Sequence, residues 1–266
     1  MKYFELGTQS QFDEKNLCLA IGNFDGFHKG HIEILNALKK IANKENQPSA
    51  IMSFSPHPRQ FFENKNENFN IYLKSDKINF IKKFDINIYV EFIFDKNLAV
   101  LSANQFIKNI LINKLDIKNV VVGKDFKFGK DRLGNFQILE NYSKENNFNV
   151  HLVESIMLSD GSDKYSSSII RENIKNGEIE KANFALGRRW HITGKIIEGD
   201  KRARKINFPT ANVIPGKHIH PRKGVYCVEA HINNKKYLGI SNFGERPTVD
   251  GSKLLLETHI FNFNQA

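Results

Sequence analysis

The first part of the chain alternates short apolar runs with longer segments in which apolar residues recur every three or four positions. The runs predict buried strands, and the recurring pattern predicts amphipathic helices. Strands are predicted over residues 17–21, 50–54, 86–92, 120–123 and 150–153. Helices are predicted over residues 32–42, 78–84, 106–111 and 136–142. Such alternation predicts a parallel sheet with helices on both faces, and a ligand site where the loops after Ile21, Phe54 and Val122 meet.

The pattern changes near Gly187. Two short helical segments, 168–176 and 178–186, precede this glycine. Beyond it the apolar runs are short and strand-like, over residues 191–197, 225–232, 237–242 and 254–261. Short strands separated by turn residues predict a small antiparallel barrel. We therefore predict an α/β protein with a parallel-sheet domain over residues 1–186 and an antiparallel β-barrel domain over residues 187–266.

The composition narrows the class of protein. The chain has 266 residues, of which 40% are hydrophobic and 26% charged, and this balance excludes wholesale disorder. No stretch approaches the ~18 uncharged apolar residues of a membrane-spanning helix, and the first residues lack the apolar core of a signal peptide. Two distant cysteines, Cys18 and Cys227, exclude a disulfide scaffold and a cysteine-rich zinc site. We expect a cytoplasmic protein without a membrane partner.

The formal net charge is +10, which raises the question of a nucleic-acid partner. The basic residues are dispersed, and their densest cluster is residues 201–205. This cluster could be a solvated loop, a nucleic-acid contact or a contact to a phosphate-bearing small ligand. Charge alone does not choose among the three.

The loop between the first predicted strand and the first predicted helix contains candidate chemistry. It has the sequence Gly22-Asn23-Phe24-Asp25-Gly26-Phe27-His28-Lys29-Gly30-His31. Glycines allow the backbone to approach a ligand closely, and the start of a helix favours an anion. His28 and His31 could both face that anion. A chance surface pair and a metal site are the alternatives, although a zinc site needs a third ligand that no usual motif supplies here.

This loop resembles the Gly-x-Phe-Asp-Gly-x-His-x-Gly-His signature of the HxGH nucleotidylyltransferases. Four further segments, in the same order along the chain, resemble motifs of the bacterial bifunctional riboflavin kinase/FMN adenylyltransferase family. They are Phe54-Ser55-Pro56-His57-Pro58, Val122-Gly123-Lys124-Asp125-Phe126-Lys127-Phe128-Gly129, Ser166-Ser167-Ser168-Ile169-Ile170-Arg171 and Phe208-Pro209-Thr210-Ala211-Asn212. The resemblance spans nearly the whole chain. It implies a Rossmann-like nucleotidylyltransferase domain followed by a barrel-shaped kinase domain.

The resemblance also implies two reactions, the phosphorylation of riboflavin to FMN and the adenylylation of FMN to FAD, with ATP and Mg²⁺. The implied catalytic residues are His28, His31 and Arg171 for adenylyl transfer and Glu257 as the general base of the kinase. The implied ATP-binding residues are Gly22, Phe24, Asp25, Gly26, Gly30, Ser166, Ser167, Arg171, Thr210 and Asn212. The implied flavin-binding residues are Pro56, His57, Pro58, Asp125, Phe126 and Phe128. Thr210 and Asn212 would also bind Mg²⁺, because this cation prefers oxygen ligands.

Several of these residues also have a purely structural interpretation. Phe126 and Phe128 could pack in a core, and Ser166 and Ser167 could form an ordinary helix cap. Thr210 and Asn212 could belong to a turn before a strand, and Glu257 could lie on the solvent-exposed face of a strand.

The chain departs from the family pattern in its second domain. Ala203 and Asn207 stand where the family motif usually has glycines, and Ala203 is unfavourable if a positive φ is required there. The sequence ends nine residues beyond Glu257, at Ala266, whereas family members continue through a further strand and a helix. We therefore expect a shortened, incomplete barrel, and either the sequence is a fragment of a longer protein or its kinase half is impaired.

Other functions compete with this interpretation. Another HxGH transferase could act on nicotinamide mononucleotide, a phosphoalcohol or phosphopantetheine, but none would need the Pro-Thr-Ala-Asn segment and a downstream Glu. A basic RNA-binding protein is supported by charge alone, and a flavin-binding protein without catalysis is a third alternative. We expect the partners to be ATP, riboflavin and FMN, without nucleic acid. The oligomeric state stays open.

Overall fold

The computed structural model describes residues 1–63, 68–157, 164–197, 209–233, 235–248 and 251–263. The chain forms two compact units. The first comprises residues 1–66, 74–167 and 185–187, and the second comprises residues 67–73, 168–184 and 188–266. The sequence-based division after residue 186 stays a prediction.

The first unit alternates strands and helices, as the apolar pattern predicts. Its strands are β1 (Lys2–Leu6), β2 (Leu17–Ile21), β3 (Ser49–Ser55), β4 (Ile88–Ile93), β5 (Ile117–Gly123) and β6 (Asn149–Val153). Its helices are α1 (Lys29–Lys44), α2 (Pro58–Glu63), α3 (Lys74–Lys83), α4 (Lys96–Ala99), α5 (Ala103–Gln105), which continues as a π-helix (Phe106–Ile112), and α6 (Phe136–Ser143). Lys130–Arg132 forms a 3₁₀ turn.

The six strands form one parallel sheet in the order β1-β4-β3-β2-β5-β6. The central strand β2 pairs with β3 on one side and with β5 on the other. The carboxyl ends of these three strands therefore lie side by side, and the chain changes direction between β2 and β5. Open parallel sheets bind ligands at such a switch point. The strand order confirms that the loops after these three strands leave the sheet at one place.

The core of the first unit forms around β2, whose five residues are all buried. Burial of successive residues means that both faces of the strand are covered, and this explains its uninterrupted apolar sequence. Helix α1 packs against β2, β3, β5 and β6. Its buried residues are Ile34, Leu35, Leu38 and Ala42, which follow the predicted spacing of three and four.

The edge of this sheet holds a buried polar network. The Glu91 side chain on β4 is only 5% exposed, and it accepts a hydrogen bond from the Tyr3 hydroxyl at 2.8 Å. The Lys74 ammonium lies 3.0 Å from the same carboxylate. Burial raises the pKa of the Tyr3 phenol, so this hydroxyl stays protonated and able to donate. The network attaches β1 and the start of α3 to β4.

Two helices and five strands follow. The helices are α7 (Ser167–Asn176) and α8 (Ile179–Leu186), and the strands are β7 (Gly194–Ile197), β8 (Thr210–Pro215), β9 (Gly224–Ile232), β10 (Lys235–Thr248) and β11 (Gly251–Ile260). The strands form an antiparallel sheet in the order β7-β8-β11-β10-β9. Within the described ranges no ladder joins the edge strands β7 and β9, so the sheet is barrel-like but open. The antiparallel second part is confirmed, and the described residues form a barrel-like sheet that does not close.

No helix in the described part of the chain is both long enough and apolar enough to cross a bilayer.

Candidate active sites

The loop from β2 to α1 has an unusual backbone that two buried rings hold in place. Phe24, Gly26 and Phe27 have φ angles of 45°, 87° and 43°. A non-glycine residue in this left-handed region costs about 1–2 kcal/mol. The Phe24 and Phe27 rings are fully buried and stack with centroids 5.9 Å apart, and this packing offsets the cost. The backbone of the predicted phosphate loop is therefore fixed before a ligand binds.

The two predicted catalytic histidines lie together at the start of α1. His28 caps the helix, because its Nδ1 accepts a hydrogen bond from the His31 N–H at 3.4 Å. A neutral ring whose Nδ1 accepts must carry its proton on Nε2. The two imidazoles stack with centroids 3.7 Å apart. A Cβ atom at Gly30 would lie 3.2 Å from two atoms of the His28 ring, so glycine leaves room for this arrangement.

The start of α7 is attached to the same loop. The Ser167 hydroxyl donates to the Asp25 carbonyl at 2.7 Å, and Asp25 is fully buried. The Lys29 ammonium lies 3.2 Å from the Tyr165 hydroxyl and 5.1 Å from the centre of its ring. Half-buried Ser166 lies between these attachment points in the sequence. The structure thus brings the predicted serines to the predicted phosphate loop.

Asn23 is a candidate that the sequence interpretation missed. Its Oδ1 atom is buried, and no described residue donates a hydrogen bond to it. A buried acceptor without a donor costs about 1–3 kcal/mol, and a ligand donor would remove that cost. A polar residue directly after the buried strand β2, between Gly22 and Phe24, was the signal available in the sequence.

The Pro-His-Pro segment joins β3 to α2. Its Ser55–Pro56 peptide bond is cis. The His57 ring is buried, and its Nδ1 accepts from the Arg59 N–H at 3.1 Å. Pro58 occupies the first position of α2, where the missing N–H costs nothing. His57 therefore serves as the start of a helix, and its predicted contact with flavin stays a prediction.

Asp125 lies just after β5, at the same end of the sheet. Its Oδ2 atom accepts hydrogen bonds from the Lys164 ammonium at 2.6 Å and from the Ser155 hydroxyl at 3.1 Å. The Lys164 ammonium is the main reason that the pKa of Asp125 lies below its ordinary value. The carboxylate is therefore ionised and accessible, with a side chain that is 61% exposed.

The two phenylalanines after Asp125 differ in burial. Phe128 is buried in the core and lies 5.4 Å from the Phe106 ring. Phe126 is half-buried and stacks on Phe128 with centroids 5.4 Å apart. The packing interpretation accounts for Phe128, whereas Phe126 still presents part of its ring to solvent.

Arg171 lies in α7, one turn after Ser167, in the part of the helix that belongs to the second unit. Its side chain is buried, and its Nε donates to the Phe69 carbonyl at 3.1 Å. The guanidinium carbon lies 3.9 Å from the centre of the Phe69 ring. His28 and His31 lie in the first unit, so joint action of Arg171 with the histidines stays a prediction.

The second unit brings its predicted catalytic residues onto one sheet face. Asn212 on β8 and Glu257 on β11 are directly opposed in the antiparallel ladder, and Thr210 is opposite His259. Alternate residues of a strand share a face, so Thr210, Asn212 and Glu257 point to the same side. Glu257 is 29% exposed, and its Oε1 accepts from the Arg246 guanidinium at 3.1 Å. The predicted base therefore has a cationic neighbour that the sequence interpretation missed.

The oxygen atoms at this face fit a magnesium ion. Asn212 is buried, and its Oδ1 has no hydrogen-bond donor among the described residues. The exposed Thr210 precedes it by two positions. His259 Nδ1 donates to the Pro209 carbonyl at 2.9 Å and so fixes the chain before Thr210. A hard cation that prefers oxygen ligands would be coordinated by Asn212 Oδ1, which has no hydrogen-bond donor among the described residues.

Several predicted features lie outside the described residues. These are the basic cluster Lys201–Lys205, including the departure from the family pattern at Ala203, and the positions Asn207 and Phe208.

Comparison with known proteins matches both halves of the chain. The family model described as FAD synthetase matches residues 10–169, and the model described as riboflavin kinase matches residues 186–266. A crystal structure described as a macrolide-efflux protein from Streptococcus pneumoniae superimposes with a TM-score of 0.88 at 28% identity. That superposition covers 99% of this chain and 86% of the other.

Curated relatives share one description, bifunctional riboflavin kinase/FMN adenylyltransferase. The protein from Buchnera aphidicola subsp. Schizaphis graminum is 40% identical over 94% of this chain and 80% of its own length. The Haemophilus influenzae protein is 38% identical over 93% of this chain and 80% of its own length. The Bacillus subtilis protein is 35% identical over 93% of this chain and 78% of its own length. Motifs, fold and relatives therefore agree that the chain belongs to the family of bifunctional riboflavin kinase/FMN adenylyltransferases.

Proposed function

We propose that this chain catalyses two consecutive reactions, the phosphorylation of riboflavin to FMN and the adenylylation of FMN to FAD. One observation carries the proposal. Each of the two matched regions contains predicted site residues of its own reaction, with His28 and His31 in one region and Asn212 and Glu257 in the other. Its partners would then be the small molecules ATP, riboflavin and FMN, and we expect it to act in the cytoplasm.

In adenylyl transfer, a phosphate oxygen of FMN attacks the α-phosphorus of ATP, and the bond to pyrophosphate breaks. Negative charge grows on the phosphoryl oxygens, and fixed donors at a helix start stabilise it without reorganising. His28 would donate from Nε2, since its Nδ1 already accepts from His31. His31 would contact the same phosphates, and Arg171 would hold the departing pyrophosphate with its forked donors.

The remaining residues of this site position the substrates. The backbone of residues 22–30, fixed by Phe24 and by the bond from Ser167, would hold ATP. The ATP contacts in this proposal are Gly22, Phe24, Asp25, Gly26, Gly30, Ser166 and Ser167. The flavin contacts are Pro56, His57, Pro58, Asp125 and Phe126, and Phe128 supports Phe126 from the core.

In the kinase reaction, Glu257 accepts the proton of the riboflavin 5′-hydroxyl. The hydroxyl oxygen then bonds to the γ-phosphorus of ATP, and ADP leaves with the electrons of the broken P–O bond. The Thr210 hydroxyl and the Asn212 amide oxygen would hold Mg²⁺, which when bound neutralises phosphate charge. The antiparallel ladder fixes the backbone of Asn212 opposite Glu257 and that of Thr210 opposite His259 before substrates arrive.

The test is chromatography of the products after the protein is incubated with Mg-ATP and either riboflavin or FMN. FAD from both substrates would support both activities. FAD from FMN alone would overturn the kinase proposal. No FAD from either substrate would overturn the adenylyl-transfer proposal.

Two variants assign the reactions to their sites. His31→Ala should abolish FAD formation and leave FMN formation intact. Glu257→Gln should abolish FMN formation and leave FAD formation from FMN intact. Equal loss of both activities in either variant would contradict the assignment of one reaction to each site.

A further inference from the structure

The predicted base of the kinase has a partner that none of the sequence motifs contains. Arg246 Nη1 lies 3.1 Å from Glu257 Oε1, at hydrogen-bond distance and with opposite charge. Arg246 is on β10, four positions beyond Asn242, which is the direct ladder partner of Glu257. An even spacing places Arg246 on the same sheet face as Glu257. The contact therefore follows from the strand register.

The bond involves one oxygen of the carboxylate. Among the described residues, no donor forms a hydrogen bond with Glu257 Oε2. A proton acceptor needs one oxygen available to the substrate hydroxyl, with its lone pair aimed at that proton. A guanidinium on the other oxygen fixes the plane of the carboxylate and thereby the direction of Oε2.

The pair contributes little to stability. Arg246 and Glu257 are 30% and 29% exposed, and pairs that remain open to water stabilise a fold by about 0–1 kcal/mol. Orientation has a much larger effect on a reaction rate, because a misplacement of about 1 Å can cost about a hundredfold. We therefore expect the ion pair to affect the rate of the reaction at Glu257 more than the stability of the fold.

We propose that Arg246 is a positioning residue of the kinase reaction, which holds the Glu257 carboxylate in the orientation that accepts the riboflavin 5′-hydroxyl proton. The inference rests on the proposed kinase function. Arg246 itself takes no proton and forms no covalent bond. It acts through Glu257, so its removal should slow the chemical step and leave the binding of both substrates intact.

The experiment compares Arg246→Met and Arg246→Lys with the wild-type chain. In Arg246→Met the kcat for FMN formation should fall about tenfold or more, while the KM values for riboflavin and Mg-ATP stay within about twofold. Arg246→Lys keeps a cationic donor and should recover most of the lost kcat. FAD formation from FMN in the same samples should be unchanged, which reports that the first unit is folded, and the unchanged KM values report that the second unit is folded.

A matched control is Arg189→Met, because Arg189 Nη1 forms an equivalent ion pair with Glu229 Oε2 at 2.9 Å in the same unit. This variant should form FMN at the wild-type rate. A kcat for Arg246→Met within twofold of the wild type would overturn the proposal. An unchanged kcat with a raised KM for Mg-ATP would also overturn it, because Arg246 would then be a phosphate ligand. A wild-type protein that forms no FMN would overturn the kinase function and this inference together.

Discussion

Asn212 and Glu257 are direct partners in the ladder between β8 and β11, although they are far apart in the sequence. Backbone hydrogen bonds therefore hold the proposed magnesium ligand and the proposed base opposite one another. A slip of one residue would place Asn212 opposite Leu256 or Thr258 and turn its side chain to the other face relative to Glu257. Strand register is thus the feature that assembles this site.

The first prediction concerns Gly30. Gly30→Ala would place a Cβ atom 3.2 Å from Cε1 and Nδ1 of His28, so the ring must shift by a few tenths of an ångström from its position beside His31. We expect FAD formation to fall by about tenfold or more, because fixed donors lose their effect when they are misplaced. Alanine favours helices over glycine by about 1 kcal/mol, so the melting temperature should not fall.

The control for this prediction is Gly7→Ala, whose added Cβ would make only ordinary contacts, the nearest at 3.8 Å from Ser10 Oγ. It should leave FAD formation unchanged. Gly30→Ala with wild-type FAD formation would contradict the role given to His28. A lower melting temperature would indicate a packing defect instead of a displaced ring.

The local pattern of the sequence was sufficient for much of the fold. The apolar run of β2 and the spacing of α1 predict both elements, and strand order then places their loop at the switch point. β1 and β8 were not predicted. β1 has no continuous apolar run and forms by pairing with β4, and β8 is bounded by Thr210 and Pro215 and depends on pairing with β7 and β11.

The candidate sites were likewise only partly predictable from the sequence. Motif residues such as His28 and Glu257 could be placed from the sequence because they stand in recognisable segments. Arg246 could not, since its contact depends on the register of β10 against β11. The π-helix at 106–112 was predicted as an ordinary helix, because apolar spacing does not distinguish the wider turn.

The second prediction concerns the ionisation of Asp125. The Lys164 ammonium lowers the pKa of Asp125, so the pair adds stability above the ordinary carboxyl pKa of 3.8 and loses it as the pH falls through the lower folded value. Lys164→Met should raise the pKa of Asp125 in a carboxyl NMR titration. Because the two side chains are 61% and 41% exposed, the stability lost near neutral pH should be only a few tenths of a kcal/mol.

Lys44→Met is the control, because Lys44 pairs with Glu45 at 3.3 Å on the surface and should leave the Asp125 titration unchanged. The stability difference between Lys164→Met and the wild type should vanish once the pH lies below the lowered pKa of Asp125 in the folded wild type, because the carboxylate is then protonated in both the folded and unfolded states. An Asp125 titration that is the same with and without Lys164 would contradict the assigned cause.

The third prediction concerns the buried network at the sheet edge. Lys74→Met removes the ammonium that lies 3.0 Å from Glu91, whose side chain is 5% exposed. A buried carboxylate that loses its cation is costly, but Lys74 is itself 48% exposed, so we expect a loss of about 1–2 kcal/mol in urea unfolding. Lys2→Met breaks a pair with Glu14 that is open to water and should cost less than about 1 kcal/mol. Equal losses in the two variants would contradict this account.

The last prediction concerns His259, which is opposite Thr210 in the ladder. Its Nδ1 must carry a proton, because its partner at 2.9 Å is the Pro209 carbonyl, which can only accept. His259→Leu removes this donor and releases the backbone just before the proposed magnesium ligands. The Mg²⁺ concentration for half-maximal FMN formation should then rise about threefold to tenfold, in line with a hydrogen bond of about 1 kcal/mol. His259→Asn should restore most of the wild-type value, because its amide N–H can replace Nδ1–H.

FAD formation from FMN should be unchanged in both His259 variants, since only the kinase face is altered. His231→Leu is the matched control, because His231 contacts Glu229 at 2.7 Å and is 63% exposed. It should leave the magnesium dependence as in the wild type. If His259→Leu lowers kcat at saturating Mg²⁺ and does not change the magnesium requirement, then the Pro209 bond does not position the ligands. In that case His259 would act through its chain neighbour Thr258 or through Glu257, and the ladder alone would hold Thr210 and Asn212 in place.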